Sequence, residues 1–184
     1  MGKEPLDFEI TETDESDEVI VALRTVQQSQ VRLNVMADQK AHINIGFTLL
    51  FITMSQSPAL LETVTHSFIR WGIIAVTLFV AVSLILALMV VFPRTGGERI
   101  LRPEQMVNPF YFGMFAQLDQ QTYIDYMLEN MSRNEQARRM MLVDIYQIGR
   151  VLQRKYRLLR MSYGFLALSA FSSAALFVWQ VLAN

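Results

Sequence analysis

A chain of 184 residues that is 52% hydrophobic and only 18% charged carries a formal net charge of -1, and its charges are unevenly spread, leaving long stretches without any. The complete lack of cysteine excludes disulfides, thiolate metal sites and lipidation at cysteine, and Gly2 is not followed by serine or threonine at the position myristoylation requires. No nucleophile, paired-carboxylate or phosphate-loop arrangement emerges, so neither an enzyme nor a cofactor is expected.

The near-neutral total hides a polarity, because the first eighteen residues hold eight acids (Glu4, Asp7, Glu9, Glu12, Asp14, Glu15, Asp17 and Glu18) against Lys3. Residues 1–18 are expected to form an acidic disordered tail. The opening MGKEPLDFEI lacks a basic leader followed by an apolar segment, so no cleavable signal peptide is expected. Few helix breakers occur between Asp17 and Ala41, and residues 19–56 are expected to form one helix that continues from the cytoplasm into a first membrane span. The apolar run 41–54 is too short alone, and starting it near Met36 brings Asp38, Lys40, His42 and Asn44 along. Charges at the mouth of a span must pair, reach the interface or take part in function. Val31, Val35, Asp38, His42, Ile45 and Leu49 alternate steps of four and three, which predicts a packed seam containing Asp38 and His42.

Residues 71–92 (WGIIAVTLFVAVSLILALMVVF) contain neither charge nor proline and are long enough for a second span. Residues 93–132 read as a cytoplasmic loop with a short helix, punctuated by Pro93, Gly96, Gly97 and Pro103 and by the turn Asn108-Pro109-Phe110-Tyr111-Phe112-Gly113. Asn108, Pro109 and Gly113 are its structural turn residues, and the short helix is expected from about Asp119 to Asn130. Ser132-Arg133-Asn134-Glu135 matches a capping box. No proline follows, so residues 133–183 read as a long cytoplasmic helix continuing into a third span, 161–183, with Tyr163 and Trp179 near its ends. Met141, Ile145, Ile148, Leu152, Lys155, Leu159, Ser162 and Leu166 form its stripe, on which Lys155 is the one charge. Arg139, Arg150, Arg154 and Arg157 gather on the opposite side, as a solvated or lipid-headgroup face. Lys155 is expected to meet Asp38 and hold the first and third spans together.

The fold class is therefore an all-α integral membrane protein with three transmembrane helices and a cytoplasmic helical region. Eleven basic residues between 93 and 160, against Arg70 alone in the short link and none after 161, place the amino terminus and long loop inside and the carboxyl terminus outside. Small residues four apart (Ser83 with Ala87, Ser169 with Ser173, Ala170 with Ala174) suit close helix approach, within one chain or between copies. His42 one turn from Asp38 offers only two ligands, so no metal is expected.

Three blocks in order resemble the membrane effectors of Pycsar, the bacterial cyclic-pyrimidine anti-phage systems: Ala37-Asp38-Gln39-Lys40-Ala41 with Gly46 following, Asn108 to Gly113, and Arg154-Lys155-Tyr156-Arg157-Leu158-Leu159-Arg160 leading into a span. The resemblance covers about Val31 to Trp179. It implies abortive infection: a partner cyclase makes cCMP or cUMP, and a homo-oligomeric effector in the cell inner membrane responds by impairing that membrane. The ligand would be a cyclic nucleotide, with no nucleic acid polymer as partner. The acidic start and the polar His42 and Asn44 depart from the family pattern. No cyclic-nucleotide-binding β-barrel is visible, so a ligand would sit in a helical pocket or between subunits. A cyclic pyrimidine needs a basic group for its phosphate and an aromatic surface for its base. Asp38, Lys40, His42, Tyr111, Phe112, Arg154, Lys155, Tyr156 and Arg157 are the candidates for ligand binding or gating, with interhelical pairing and interfacial snorkelling as their plain structural role. The alternative function is a passive membrane scaffold that recruits a soluble partner through its acidic tail or basic loop.

Overall fold

The computed structural model describes residues 12–55, 67–92 and 99–183, and every regular element among them is helical. The elements are α1 (Glu12–Ser55), α2 (Ser67–Val91), a 3-10 turn (Pro103–Gln105), α3 (Phe112–Phe115), α4 (Gln120–Met131) and α5 (Asn134–Ala183). The first eleven residues of the acidic tail, most of the link between α1 and α2, and Pro93, Gly96 and Gly97 lie outside the described residues.

Helix α1 begins at Glu12, earlier than the expected boundary near Asp17 to Val19. Helix α4 starts as expected, with the Asp119 carboxylate accepting from the backbone N–H of Gln121 at 3.0 Å and of Thr122 at 3.3 Å. The capping box at Ser132 does not form. Ser132, the C-cap just after Met131, keeps helical backbone angles, and its hydroxyl donates back to the Glu129 carbonyl at 2.7 Å. With α5 starting only two residues later, the serine is consumed by the helix before it. Helix α5 then runs 50 residues without proline, about 75 Å at 1.5 Å per residue.

The chain divides into two compact units, Met1–Arg32 with Thr95–Gly149, and Leu33–Arg94 with Arg150–Asn184. In the second unit, α2 buries Ile69, Val76, Val80, Ser83, Ala87 and Val90, a seam with steps of seven, four, three, four and three. The expected stripe of α5 is present there as Leu159 and Ser162 buried and Leu152, Lys155 and Leu166 half-buried. Ser83, Ala87 and Ser169 are buried and Ser173 half-buried, whereas Ala170 and Ala174 are exposed.

The seam of α1 differs from expectation. Ala37, Ala41, Asn44 and Thr48 are fully buried, Asp38 and Ile45 half-buried, while Val31, Val35, His42 and Leu49 are exposed. Hydrophobic spacing marked the wrong stripe because close approach of helix backbones selects small or hydrogen-bonding side chains and turns bulky apolar ones outward, the preference of helices in lipid.

The polar residues of this unit share one node. Ser83 Oγ donates to the Ser162 carbonyl at 2.8 Å, and Ser162 Oγ donates to the Ser83 carbonyl at 2.6 Å. Asn44 Nδ2 donates to Ser162 Oγ at 2.5 Å and reaches Ser83 Oγ more weakly at 3.5 Å. Both hydroxyl protons and the amide protons are thus directed, so three buried polar side chains tie α1, α2 and α5 together. One turn or more away, Ala37, Ala41, Val90 and Leu159 form a single apolar cluster. Residue numbers rise together along α1 and α5 through these contacts and fall along α2, so α1 and α5 are parallel and α2 antiparallel.

In the first unit, the turn expected at Asn108 is built around a buried carboxylate. Asp144 of α5, 6% exposed, accepts from Asn108 Nδ2 at 2.7 Å and from the side-chain amide of Gln27. Asn108 Oδ1 accepts from the Phe110 N–H at 2.9 Å, and the Tyr123 hydroxyl donates to the Pro109 carbonyl at 3.1 Å. Phe115 stacks on Tyr123 with ring centroids 5.0 Å apart. Tyr123 of α4 thus holds both the Pro109 carbonyl of the turn and the Phe115 ring of α3.

Substitutions at two positions test these anchors. Ser162→Leu is expected to destabilise the full chain in micelles by about 1–3 kcal/mol through overpacking, against about 0.6–1.7 kcal/mol for the single lost interhelical bonds of Ser162→Ala, as read by denaturant unfolding. Asp144→Ala strands two buried amide donors and is expected to cost about 2–4 kcal/mol, visible as faster amide hydrogen exchange across 99–131 with slower exchange restored by Asp144→Asn.

Candidate functional site

Just before the apolar part of α5 begins, helical spacing places Lys155 on the packed stripe while Arg154 and Arg157, its neighbours in sequence, are exposed. Lys155 Nζ lies 2.6 Å from Asp38 Oδ1, the contact the seam spacing predicted, with side chains 18% and 33% exposed. A partly buried pair is screened less by water and salt than a surface pair, so it is worth more than the usual surface ion pair.

Around this pair, α1 and α5 are joined by two tyrosines. Tyr156 Oη donates to the Leu33 carbonyl at 3.5 Å, and seven residues later Tyr163 Oη donates to the Lys40 carbonyl at 3.0 Å. The same step of seven on both helices keeps each hydroxyl over an equivalent carbonyl. The Lys40 ammonium stands 5.5 Å from the centroid of the Tyr156 ring, within cation–π range. Asp38, Lys40, Lys155 and Tyr156 thus form one cluster with two cations, one carboxylate and one aromatic face.

The remaining candidates are placed elsewhere. His42 is exposed, not on the packed seam, because the seam of α1 is the stripe through Ala37, Ala41 and Asn44. Arg154 and Arg157 face away from the packed side of α5. Tyr111 and Phe112 belong to the other unit, where their rings lie 5.1 Å apart beside the Asn108 turn. Among the described residues no group of three histidines, acids or cysteines is placed to hold a metal ion.

Sequence reasoning passed over Ser83 and Ser162 as binding partners, and noted Asn44 only as an oddity. The available signal was their polarity at positions in register with otherwise apolar runs, since buried polar groups away from water must find partners. Asp144 and Gln27 were missed for a different reason: they are 117 residues apart, and nothing local marks them as a pair.

A family model described as the Pycsar effector protein domain (PycTM) matches residues 21–183. The chain belongs to the Pycsar effector family. Comparison with curated proteins and with solved structures gives no match. Membership makes this Pycsar effector an anti-phage defence protein, of a kind that is generally not enzymatic. Its two long apolar helices, Ile69–Val91 and the one ending at Leu182, together with the family, point to a membrane location.

A double-mutant cycle of Asp38→Ala and Lys155→Ala on unfolding of the full chain in micelles is expected to give a coupling of about 1–2 kcal/mol. Additivity within about 0.3 kcal/mol would show that the contact contributes nothing to stability.

Proposed function

We propose that this Pycsar effector responds to a cyclic pyrimidine nucleotide, cCMP or cUMP, by oligomerising in the bacterial inner membrane and impairing its integrity, so that the infected cell dies before the phage spreads. The observation that carries this reading is a three-helix unit, in a member of this family, that buries polar side chains among small and aliphatic ones and turns large apolar side chains outward. Asn44, Thr48, Ser83, Ser162 and Ser169 are buried, whereas Ile43, Phe47, Leu50, Trp71, Leu78 and Phe171 are exposed. That distribution suits lipid and would be costly in water.

The same unit supports three spans. The apolar run of α1 is short and lengthening it takes in Asp38, Lys40 and His42, so by composition α2 and α5 alone qualify among the described helices. Yet Asn44 bonds to Ser162 and Ser83, which lie within those two spans, and α1 must share their depth. Its parallel course with α5 and antiparallel course with α2 give an in-out-in-out path. The clustering of arginines before the last span puts the amino terminus and residues 93–160 on the cytoplasmic side.

Asp38, Lys40, Lys155 and Tyr156 are the residues best placed to couple a ligand to this packing. A nucleotide phosphate competing for Lys155 or Lys40, with the base against Tyr156, would weaken the pair that joins α1 to α5. One chain with three spans is too small to line a pore, so membrane damage requires several copies.

The test is full-length protein in inner-membrane vesicles, with membrane potential followed by a dye. Addition of cCMP or cUMP is expected to collapse the potential, cAMP is not, and Lys155→Ala is expected to shift the nucleotide response at least threefold. Silence toward both pyrimidine nucleotides, with steady binding of a soluble partner instead, would replace the effector by a passive scaffold.

A further inference from the structure

We propose that Arg154, Arg157 and Arg160 form a collar that binds the headgroups of anionic phospholipids and so fixes the depth of α5 in the bilayer. This goes beyond the nucleotide response and rests on that proposal only in taking α2 and α5 to span the membrane.

Three observations converge on it. At 100° per residue, Lys155, Leu159, Ser162 and Leu166 mark the packed side of α5, and Arg157 falls roughly opposite, with Arg154 and Arg160 flanking it. All three arginines are exposed, while Lys155 among them is turned inward and paired with Asp38. Position along the axis follows from the cluster of Val90 with Ala37, Ala41 and Leu159. Val90 is one residue from the end of α2, and the direct Ser83–Ser162 bonds place Leu159 within about 8 Å of the level where that apolar helix ends. Arg154, Arg157 and Arg160 lie within about 8 Å of Leu159 along α5.

The opposite end of the span has its own marker. A Cβ at Gly72 would stand 2.6 Å from the Leu176 side chain, so Gly72 and Leu176 are level with each other. From Gly72 to Val90 α2 covers about 27 Å, close to the hydrocarbon thickness. The arginine collar therefore meets one headgroup layer, with aliphatic stems along the apolar helix and guanidinium forks among phosphates. The chemistry required is a phosphate anion held by planar donors, which a lipid presents at a fixed depth and a free phosphate does not.

The experiment uses the full chain in neutral detergent, titrated with phosphatidylglycerol or phosphatidylcholine, with bound lipid counted by native mass spectrometry. Phosphatidylglycerol is expected to bind at least tenfold more tightly than phosphatidylcholine, in a salt-sensitive manner. The triple variant Arg154→Gln, Arg157→Gln, Arg160→Gln is expected to lose most of that preference, about fivefold for each arginine. The triple lysine variant is expected to retain most of it, and unchanged helicity by circular dichroism separates lost binding from lost fold. Equal retention of the two lipids, or an unaltered preference in the glutamine variant, would overturn the collar. Displacement of phosphatidylglycerol by millimolar inorganic phosphate or cCMP would also overturn it, by revealing a site for soluble anions. None of these readouts depends on membrane potential, so the collar and the nucleotide response fail separately.

Discussion

Hydrogen bonds between Asn44, Ser83 and Ser162 are the constraint on which the spanning unit depends. Burial of apolar surface cannot hold helices together where the surroundings are themselves apolar. What remains is close packing and the need of polar groups for partners. Two serines that each donate to the other's backbone carbonyl require α2 and α5 to approach within the reach of a hydroxyl. Asn44 then brings α1 to the same point. Register, depth and helix direction all follow from this junction.

The charged pair of Asp38 and Lys155 has a different character. It lies nearer one end of the unit, is partly exposed, and stands beside tyrosines whose hydroxyls reach backbone carbonyls of α1. Such contacts are open to competition from ions and anionic ligands, whereas the node is sealed. The node sets where the helices meet, and the outer cluster sets how firmly their ends are joined.

The first unit uses the same physics in a different setting. Asp144 is a carboxylate kept out of water by the turn it organises, accepting from Asn108 and Gln27. The sequence reads Asn108 to Gly113 as a structural turn, with Tyr111 and Phe112 also candidates for ligand binding or gating. The Pro109 contact with Tyr123, the Phe115 stack on Tyr123 and the pairing of the Tyr111 and Phe112 rings account for the aromatics here as packing.

Much of this was legible from local patterns. Uninterrupted apolar runs and the lack of proline after Pro109 marked α2, α4 and α5 within a few residues, because helix formation and span length depend on neighbours in the chain. The stripe of α5 and its meeting with Asp38 were also legible, since a lone lysine on an apolar stripe has few places to go. The seam of α1 was not, and the apolar spacing through Val35 and His42 pointed to the wrong face. Hydrophobic periodicity identifies a buried face only when water lies on the other side; with lipid there, small and polar residues take the inside. The sequence by itself determined which segments are helical, which are apolar enough to span, and where charge collects. The tertiary structure alone decided which face of α1 is inward, that Asn44 answers Ser83 and Ser162, and that Asp144 anchors Asn108, because each is a match between groups far apart in the chain whose geometry no local spacing encodes.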